Sequence, residues 1–422
     1  MMVRIPKREA VHATFRAPPS KSGTHRAFIT AALAKGDSFI RGPLHSEDTE
    51  VTRRTLAAWG VSFTDAPDGV GIRGSEGILH STPDQRMDMR ESGTTMRFFV
   101  SLALLCPTSV ILDGSTRMRE RPVGPLVGAL NTLGARIAYL GREGYPPLHI
   151  EGMLEGGEVV ISGKESSQYI SSLLLVAPYA TKDVTIRCKE VPVSRSYIDI
   201  TLSIMQHFGV ACERNGYQSY HVPSGSPYRG SVYGVEGDFS SAAYFMAIPA
   251  VCGGSVVVKG LDPSSTQGDR IFPDILASMG CRVRWTTERV EISCQEDLNG
   301  ITVDLSSAPD IVQTVSMVAA RARTPTTIRG VAHLRLKESD RLQATAEILR
   351  KLGAGVRVTD DAITILPGAL HGGVIDPGND HRTAMSAAIL GLGIGGVSIL
   401  QAECVNKSFP EFWSQLREAG LL

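Results

Sequence analysis

Cations recur beside small polar residues in this chain: PSKSGTHRA, ESGTTMR, RMRERPVG, SRSYIDIT, QGDRIF, RLKESDRL, DHRTAMS and NKSFPEF. Lys21, Arg26, Arg97, Arg119, Arg121, Arg195, Arg270, Lys337, Arg341, Arg382 and Lys407 stand at or just before expected helix starts. Backbone N–H groups, a positive helix end and a cation together make an anion site. KESDRL is the sharpest case. If it opens a helix, Lys337 and Arg341 lie four apart and repel by about 0.2–0.5 kcal/mol. The helix dipole disfavours each by roughly a further 0.3–1 kcal/mol. Anions entering a cleft reverse that sign. Carboxylates share these clusters: Asp310 in APDIVQT and Glu338 in KESDRL. Either a helix cap or proton transfer accounts for them, the latter contributing about 10²–10⁴ in rate. Asp48 and Asp340 read as first-turn helix acids. His381, between Asp380 and Arg382, is a candidate proton carrier or hydrogen-bond donor.

The bulk composition narrows the field. The chain has 422 residues, with 43 basic and 43 acidic side chains. That balance gives no global attraction to nucleic acid or membrane. No apolar run reaches the roughly 18 residues of a spanning helix. The opening MMVRIPKREA has no signal-peptide apolar core. Seven scattered cysteines form no CxxC pair, so reduced thiols and a cytoplasmic location are expected. The ten histidines form no HxxxH-type pair, so no metal is expected.

The elements that must position the clusters repeat. TLAAWG, ALNTLG, IMQHFG, ILASMG, ILRKLG and QLREAG end at Gly60, Gly134, Gly209, Gly280, Gly353 and Gly420, each read as a helix stop. The polar clusters at Lys21, Gly93, Ser167, Ser240, Asp310 and His381 keep the same period of about 70 residues and each precedes an apolar helix. Extended segments flank these helices, and alternating hairpins such as VRVTDDAITIL follow the stop glycines. The unit is strand–helix–strand–helix–strand–strand, six times over, in an α/β chain. The sixth copy ends at Leu422 without its last two strands, which the first 18 residues could supply. Six copies divide into two halves of three, and a cleft between the halves is the default binding site.

The motifs quoted above, with SSQYISSLLL and VEGDFSSAAYF, run in order from end to end and resemble the 5-enolpyruvylshikimate-3-phosphate (EPSP) synthase family. The resemblance implies a two-domain, inside-out α/β barrel fold with three βαβαββ units per domain. The domains would be 1–18 plus 237–422, and 19–236. It implies transfer of the enolpyruvyl group of phosphoenolpyruvate to the 5-hydroxyl of shikimate 3-phosphate, by addition and then loss of phosphate. No cofactor or metal is implied. A monomer without nucleic-acid or membrane partners is expected. The domains are expected to close on the phosphorylated acceptor.

By resemblance, Ser22, Arg26, Ser166, Ser167, Ser194 and Tyr197 contact shikimate 3-phosphate. Asp310, His333 and Lys337 join them at the acceptor. Gln168 and Lys21 touch both substrates. Arg121, Arg341, Arg382 and Lys407 clamp phosphoenolpyruvate, with Gly93 and Thr94 allowing close backbone approach. Asp310 acts on the 5-hydroxyl; Glu338 and Lys21 are the other proton-transfer candidates, and His381 assists. Three positions depart from the family pattern. Glu91 and His333 stand where asparagine is common, and Phe98 replaces a proline. They are expected to alter inhibitor sensitivity and the phosphoenolpyruvate pocket.

Two rival readings differ in class. The related UDP-N-acetylglucosamine enolpyruvyl transferases carry a reactive cysteine in the loop matching GSTRMRERP and a Lys-Asn pair. This loop has no cysteine, and Ser22 follows Lys21. A non-catalytic anion-binding repeat protein explains the cations but not Asp310 and Glu338 among them.

Overall fold

The computed structural model describes residues 1–295 and 297–422. The chain divides into two compact units, residues 1–18 with 236–422, and residues 19–235. Each has its own apolar core.

Within residues 19–235 there are three four-stranded sheets among the described residues. One has the spatial order Gly157–Ile161, Val184–Cys188, Ser219–Val222, Glu213–Asn215. Its first two strands are parallel and the others antiparallel. The same pattern holds for the sheet of Gln85–Asp88, Val110–Asp113, Leu148–Gly152 and Ala135–Tyr139. In the third sheet, Asp37–Arg41 takes its parallel neighbour, Val232–Gly234, from the far end of the unit. The parallel edge strand of this sheet thus comes last in the unit's sequence.

The other unit follows the same rule in the sheet Thr302–Asp304, Thr326–Arg329, Ala362–Leu366, Gly355–Val358. The first 18 residues serve two sheets, not one. Val3–Ile5 pairs antiparallel with Val397–Ile399, completing a three-stranded sheet. Val11–Arg16 instead runs parallel to Gly254–Lys259, at the edge of another sheet. Only part of the expected completion of the last copy is therefore observed.

Two kinds of helix connect the strands. Lys21–Leu33, Gly93–Leu102, Gln168–Val176, Phe239–Met246, Val312–Ala319 and His381–Ile394 are buried nearly all round. A helix apolar on every side must be a core element, so only its end can meet solvent or a ligand. Ser20, Ser92, Asp238 and Asp380 cap four of these starts through side-chain acceptors. The second kind is amphipathic, as in Glu47–Ala58 and Arg341–Lys351. The six stop glycines all have positive φ, from 70° to 113°, which a side chain would strain.

KESDRL differs from its sequence reading. The helix begins at Arg341, with Asp340 as its cap accepting from the Gln343 N–H at 3.0 Å. Lys337 ends a preceding 3₁₀ turn, Ala332–Leu336, in extended conformation. Lys337 and Arg341 are therefore not one turn apart on a helix, and the like-charge penalty expected from that spacing does not arise. Asp340 is a cap rather than a first-turn acid.

Candidate active site

In residues 19–235 the predicted residues gather at buried helix starts. Lys21 opens its helix, and its Nζ lies 2.9 Å from Asp48 Oδ2; the side chains are 13% and 5% exposed. Asp48 is in the first turn of Glu47–Ala58, as expected, but its side chain also holds the lysine. One turn beyond Lys21, Arg26 is buried. Its Nε donates to Thr201 Oγ1 (2.6 Å), Nη1 to the Ser22 carbonyl (3.0 Å) and Nη2 to the Tyr197 carbonyl (3.1 Å). No carboxylate pairs with it among the described residues. Burial lowers its pKa to about 10, so it keeps its charge at neutral pH. A buried cation held only by neutral acceptors is poised to take an anion. The Phe98 ring lies 5.0 Å from its guanidinium carbon, within cation–π range. Phe98 thus supports Arg26, a contact that the sequence reading did not foresee.

Ser166 and Ser167 are buried before the helix Gln168–Val176. Ser166 Oγ accepts from the Gln168 N–H at 3.2 Å. Gln168 is oriented from both ends: its Oε1 accepts from Arg97 (2.8 Å), and its Nε2 donates to Thr94 Oγ1 (2.9 Å). Ser194 is buried with φ +53°, a left-handed conformation that costs a non-glycine residue roughly 1 kcal/mol or more. Tyr197 follows in the next helix, Ser196–His207. A Cβ on Gly93 would meet the Arg121 guanidinium at 2.4–2.6 Å. Glycine there lets the buried Arg121 lie against the start of Gly93–Leu102. Arg121 Nη1 also donates, at 3.5 Å, to the carbonyl of Glu91.

The second cluster belongs to the other unit. Asp310 sits in the 3₁₀ turn Pro309–Ile311. Its Oδ1 accepts from Arg341 Nη1 (3.1 Å) and its Oδ2 from Arg382 Nη2 (2.6 Å). Arg341 also meets Glu338 Oε2 (2.9 Å) and Asp380 Oδ2 (2.8 Å). Desolvation opposes the Arg341 charge, but Asp380, Glu338 and Asp310 more than offset it and raise its pKa. Neither Asp310 nor Glu338 caps a helix; Asp380 and Asp340 do that work. Exposure separates the carboxylates. Asp380 is 0% exposed, whereas the Glu338 and Asp310 side chains are 13% and 19% exposed. Only the latter two can meet a solute.

His381 is fully buried, its Nδ1 3.9 Å from Asp380 Oδ1. Lys407 is buried at the end of the 3₁₀ helix Ala402–Lys407. His333 is also buried; burial first, then Lys337, lowers its pKa to about 3. It is neutral at ordinary pH and offers hydrogen bonds, as asparagine would, rather than charge. Asp269, in QGDRIF, was not singled out from sequence. It is buried in the turn Gly268–Ile271 and accepts from the Ser240 hydroxyl. Burial, then Asp310, raises its pKa to about 7. Its place between Gly268 and Arg270, within one of the cation-bearing motifs, was the available signal.

Buried cations at helix starts, with solvent-reachable carboxylates among them, are the arrangement expected of an α/β enzyme with anionic substrates. The family model described as EPSP synthase (3-phosphoshikimate 1-carboxyvinyltransferase) matches residues 5–416. A 3-phosphoshikimate 1-carboxyvinyltransferase of Methanoculleus marisnigri is 51% identical over 422 residues, covering 100% of both chains. One from Yersinia pseudotuberculosis is 40% identical over 98% of this chain and 97% of its own. The solved EPSP synthase of Acinetobacter baumannii superposes with a TM-score of 0.82 at 28% identity, covering 100% of this chain and 98% of that one. This chain belongs to the EPSP synthase family.

Proposed function

We infer that the protein transfers the enolpyruvyl group of phosphoenolpyruvate to the 5-hydroxyl of shikimate 3-phosphate, releasing phosphate. The observation that carries the site assignment is Asp310, a solvent-reachable carboxylate bridging two buried guanidiniums. Asp310 takes the 5-hydroxyl proton as that oxygen bonds to C2 of phosphoenolpyruvate, while C3 gains a proton. The tetrahedral adduct then loses phosphate as a C3 proton leaves, restoring the double bond. Glu338 and Lys21 are the groups proposed for the proton at C3.

Ser22, Arg26, Ser166, Ser167, Gln168, Ser194 and Tyr197 hold the phosphorylated acceptor, joined by Lys21, His333, Lys337 and Asp310. Lys21, Gly93, Thr94, Arg121, Gln168, Arg341, Arg382 and Lys407 receive phosphoenolpyruvate. The cations stabilise charge where it develops, an effect that commonly supplies most of an enzyme's acceleration. His381, buried beside Asp380, is the group proposed to assist the proton transfers. The proposal includes six βαβαββ copies in an inside-out α/β barrel, a cytoplasmic monomer, and closure on the acceptor. No helix among the described residues is long and apolar enough to cross a membrane.

Phosphate release with shikimate 3-phosphate and phosphoenolpyruvate tests the reaction; activity with UDP-N-acetylglucosamine instead would overturn it. Full turnover in Asp310→Ala or Glu338→Ala would refute the site assignment. Small-angle scattering without compaction on shikimate 3-phosphate would refute closure.

A further inference from the structure

Arg282–Thr286 pairs antiparallel with Arg289–Cys294, with Arg282 opposite Ser293. Continuing that register sets Cys281 directly opposite Cys294. The Cys281 N–H donates to the Leu276 carbonyl at 2.9 Å, closing the helix before it. It is thereby withdrawn from the ladder, so the cysteines form a non-hydrogen-bonded pair, in which Cα atoms lie about 4.5 Å apart. A disulfide needs a Cα separation of roughly 4.4–6.8 Å. Opposed residues share a face, and here it is the core face of Val290, Ile292 and Cys294. The two thiols are in hydrogen-bonding contact. Both are reduced, as are the chain's other five cysteines.

A way in also exists. A cavity of about 280 Å³ is lined by Cys294, Cys252, Gly253, Asp297 and Arg321 among others. Cys252 is a third thiol on its wall, but it ends the helix Ile248–Cys252, and on the neighbouring strand Gly254–Lys259 it is Gly254 that stands opposite Cys294. The register therefore selects Cys281 as the partner.

We propose that Cys281 and Cys294 are a redox-modification site, a dithiol that a small-molecule disulfide entering this cavity converts to a cross-strand disulfide. Cys294 attacks the reagent and expels one small thiol, leaving a mixed disulfide. Cys281 then attacks the Cys294 sulfur and expels the second. Two protein S–H bonds are lost and one S–S bond gained; the protein gives up two electrons and the reagent is reduced to two thiols. Hydrogen bonding and burial hold the Cys281 thiol protonated, so exchange is slow. The proposal is independent of the transferase reading.

The full-length folded protein is incubated with oxidised glutathione, alkylated and digested with trypsin without reduction. Cleavage after Arg282, Arg284 and Arg289 puts the two cysteines on separate peptides. Mass spectrometry is expected to find them joined through Cys281 and Cys294. The bond closes a short loop, so the joined protein should melt roughly 5–10 °C higher, reversibly with dithiothreitol. Cys252→Ser should keep the link, and Cys294→Ser should lose it. Glutathione adducts without an internal link, a link through Cys252, or seven alkylatable thiols after incubation would each overturn the proposal. The wild-type peptide map decides it even if a variant fails to fold.

Discussion

Arg341→Met removes the cation that joins three carboxylates. Arg341 is 2% exposed and meets Asp310, Glu338 and Asp380 at 2.8–3.1 Å. Methionine fills similar space but removes one of the guanidiniums from Asp310 and leaves Asp380 without its fork partner. Breaking one side of a buried ion pair costs about 3–5 kcal/mol, because the remaining charge stays desolvated. For a unit of this size each kcal/mol moves Tm by about 2–4 °C, so a fall of roughly 6–20 °C is expected. Adding Glu338→Gln should recover part of the loss, with a coupling of about 0.5–3 kcal/mol. Arg341→Lys should fall between, since it keeps charge but not the planar fork. Calorimetry of the wild type and the variants is the assay. An unchanged Tm, or no recovery on adding Glu338→Gln, would refute the assignment of Arg341 as the charge hub.

Gly93→Ala should displace the Arg121 guanidinium rather than the backbone; KM for phosphoenolpyruvate should rise roughly tenfold, about 1.4 kcal/mol, with Tm nearly unchanged, as steady-state kinetics and calorimetry can check. His333 has a depressed pKa, so its contribution to stability is present above its ordinary value and is lost as pH falls from 6.5 toward about 3. His333→Asn should flatten the Tm profile in that window. Asp269 has the opposite sign: its raised pKa stabilises the fold at acid pH, and that stability is lost as pH rises from 3.8 through about 7. Asp269→Asn should flatten the profile there, and an unaltered slope in a Tm series would exclude this role.

The sequence showed where cations cluster with small polar residues but not how those clusters are wired internally. Helix stops were legible because a glycine at positive φ is a local requirement, readable at Gly60 or Gly353 without knowing the fold. Clusters such as SKSGTHR were legible because their cations and small residues are contiguous. Partners distant in sequence were not. Arg26 depends on Thr201, and Asp310 on Arg382, through pairings that only packing creates. Lys337 was misplaced because Lys, Glu, Arg and Leu are good helix formers; the cap at Asp340 decided where the helix begins. Asp48 looked like any first-turn acid, because its second role requires Lys21 from another helix. The departure at Phe98 acquired meaning only from the ring's position near Arg26.

The edge strand Val11–Arg16 has a consequence for the order of events on the ribosome. Val11 pairs with Gly254, so this strand emerges early and waits for its neighbour while the whole of residues 19–235 is synthesised. The inserted unit contains all its own sheet partners, including Val232–Gly234 beside Asp37–Arg41. Vectorial synthesis therefore favours folding of the inserted unit first, with the N-terminal strands docking last among long-range contacts. The slowest step of folding is expected in the unit that owns both ends of the chain.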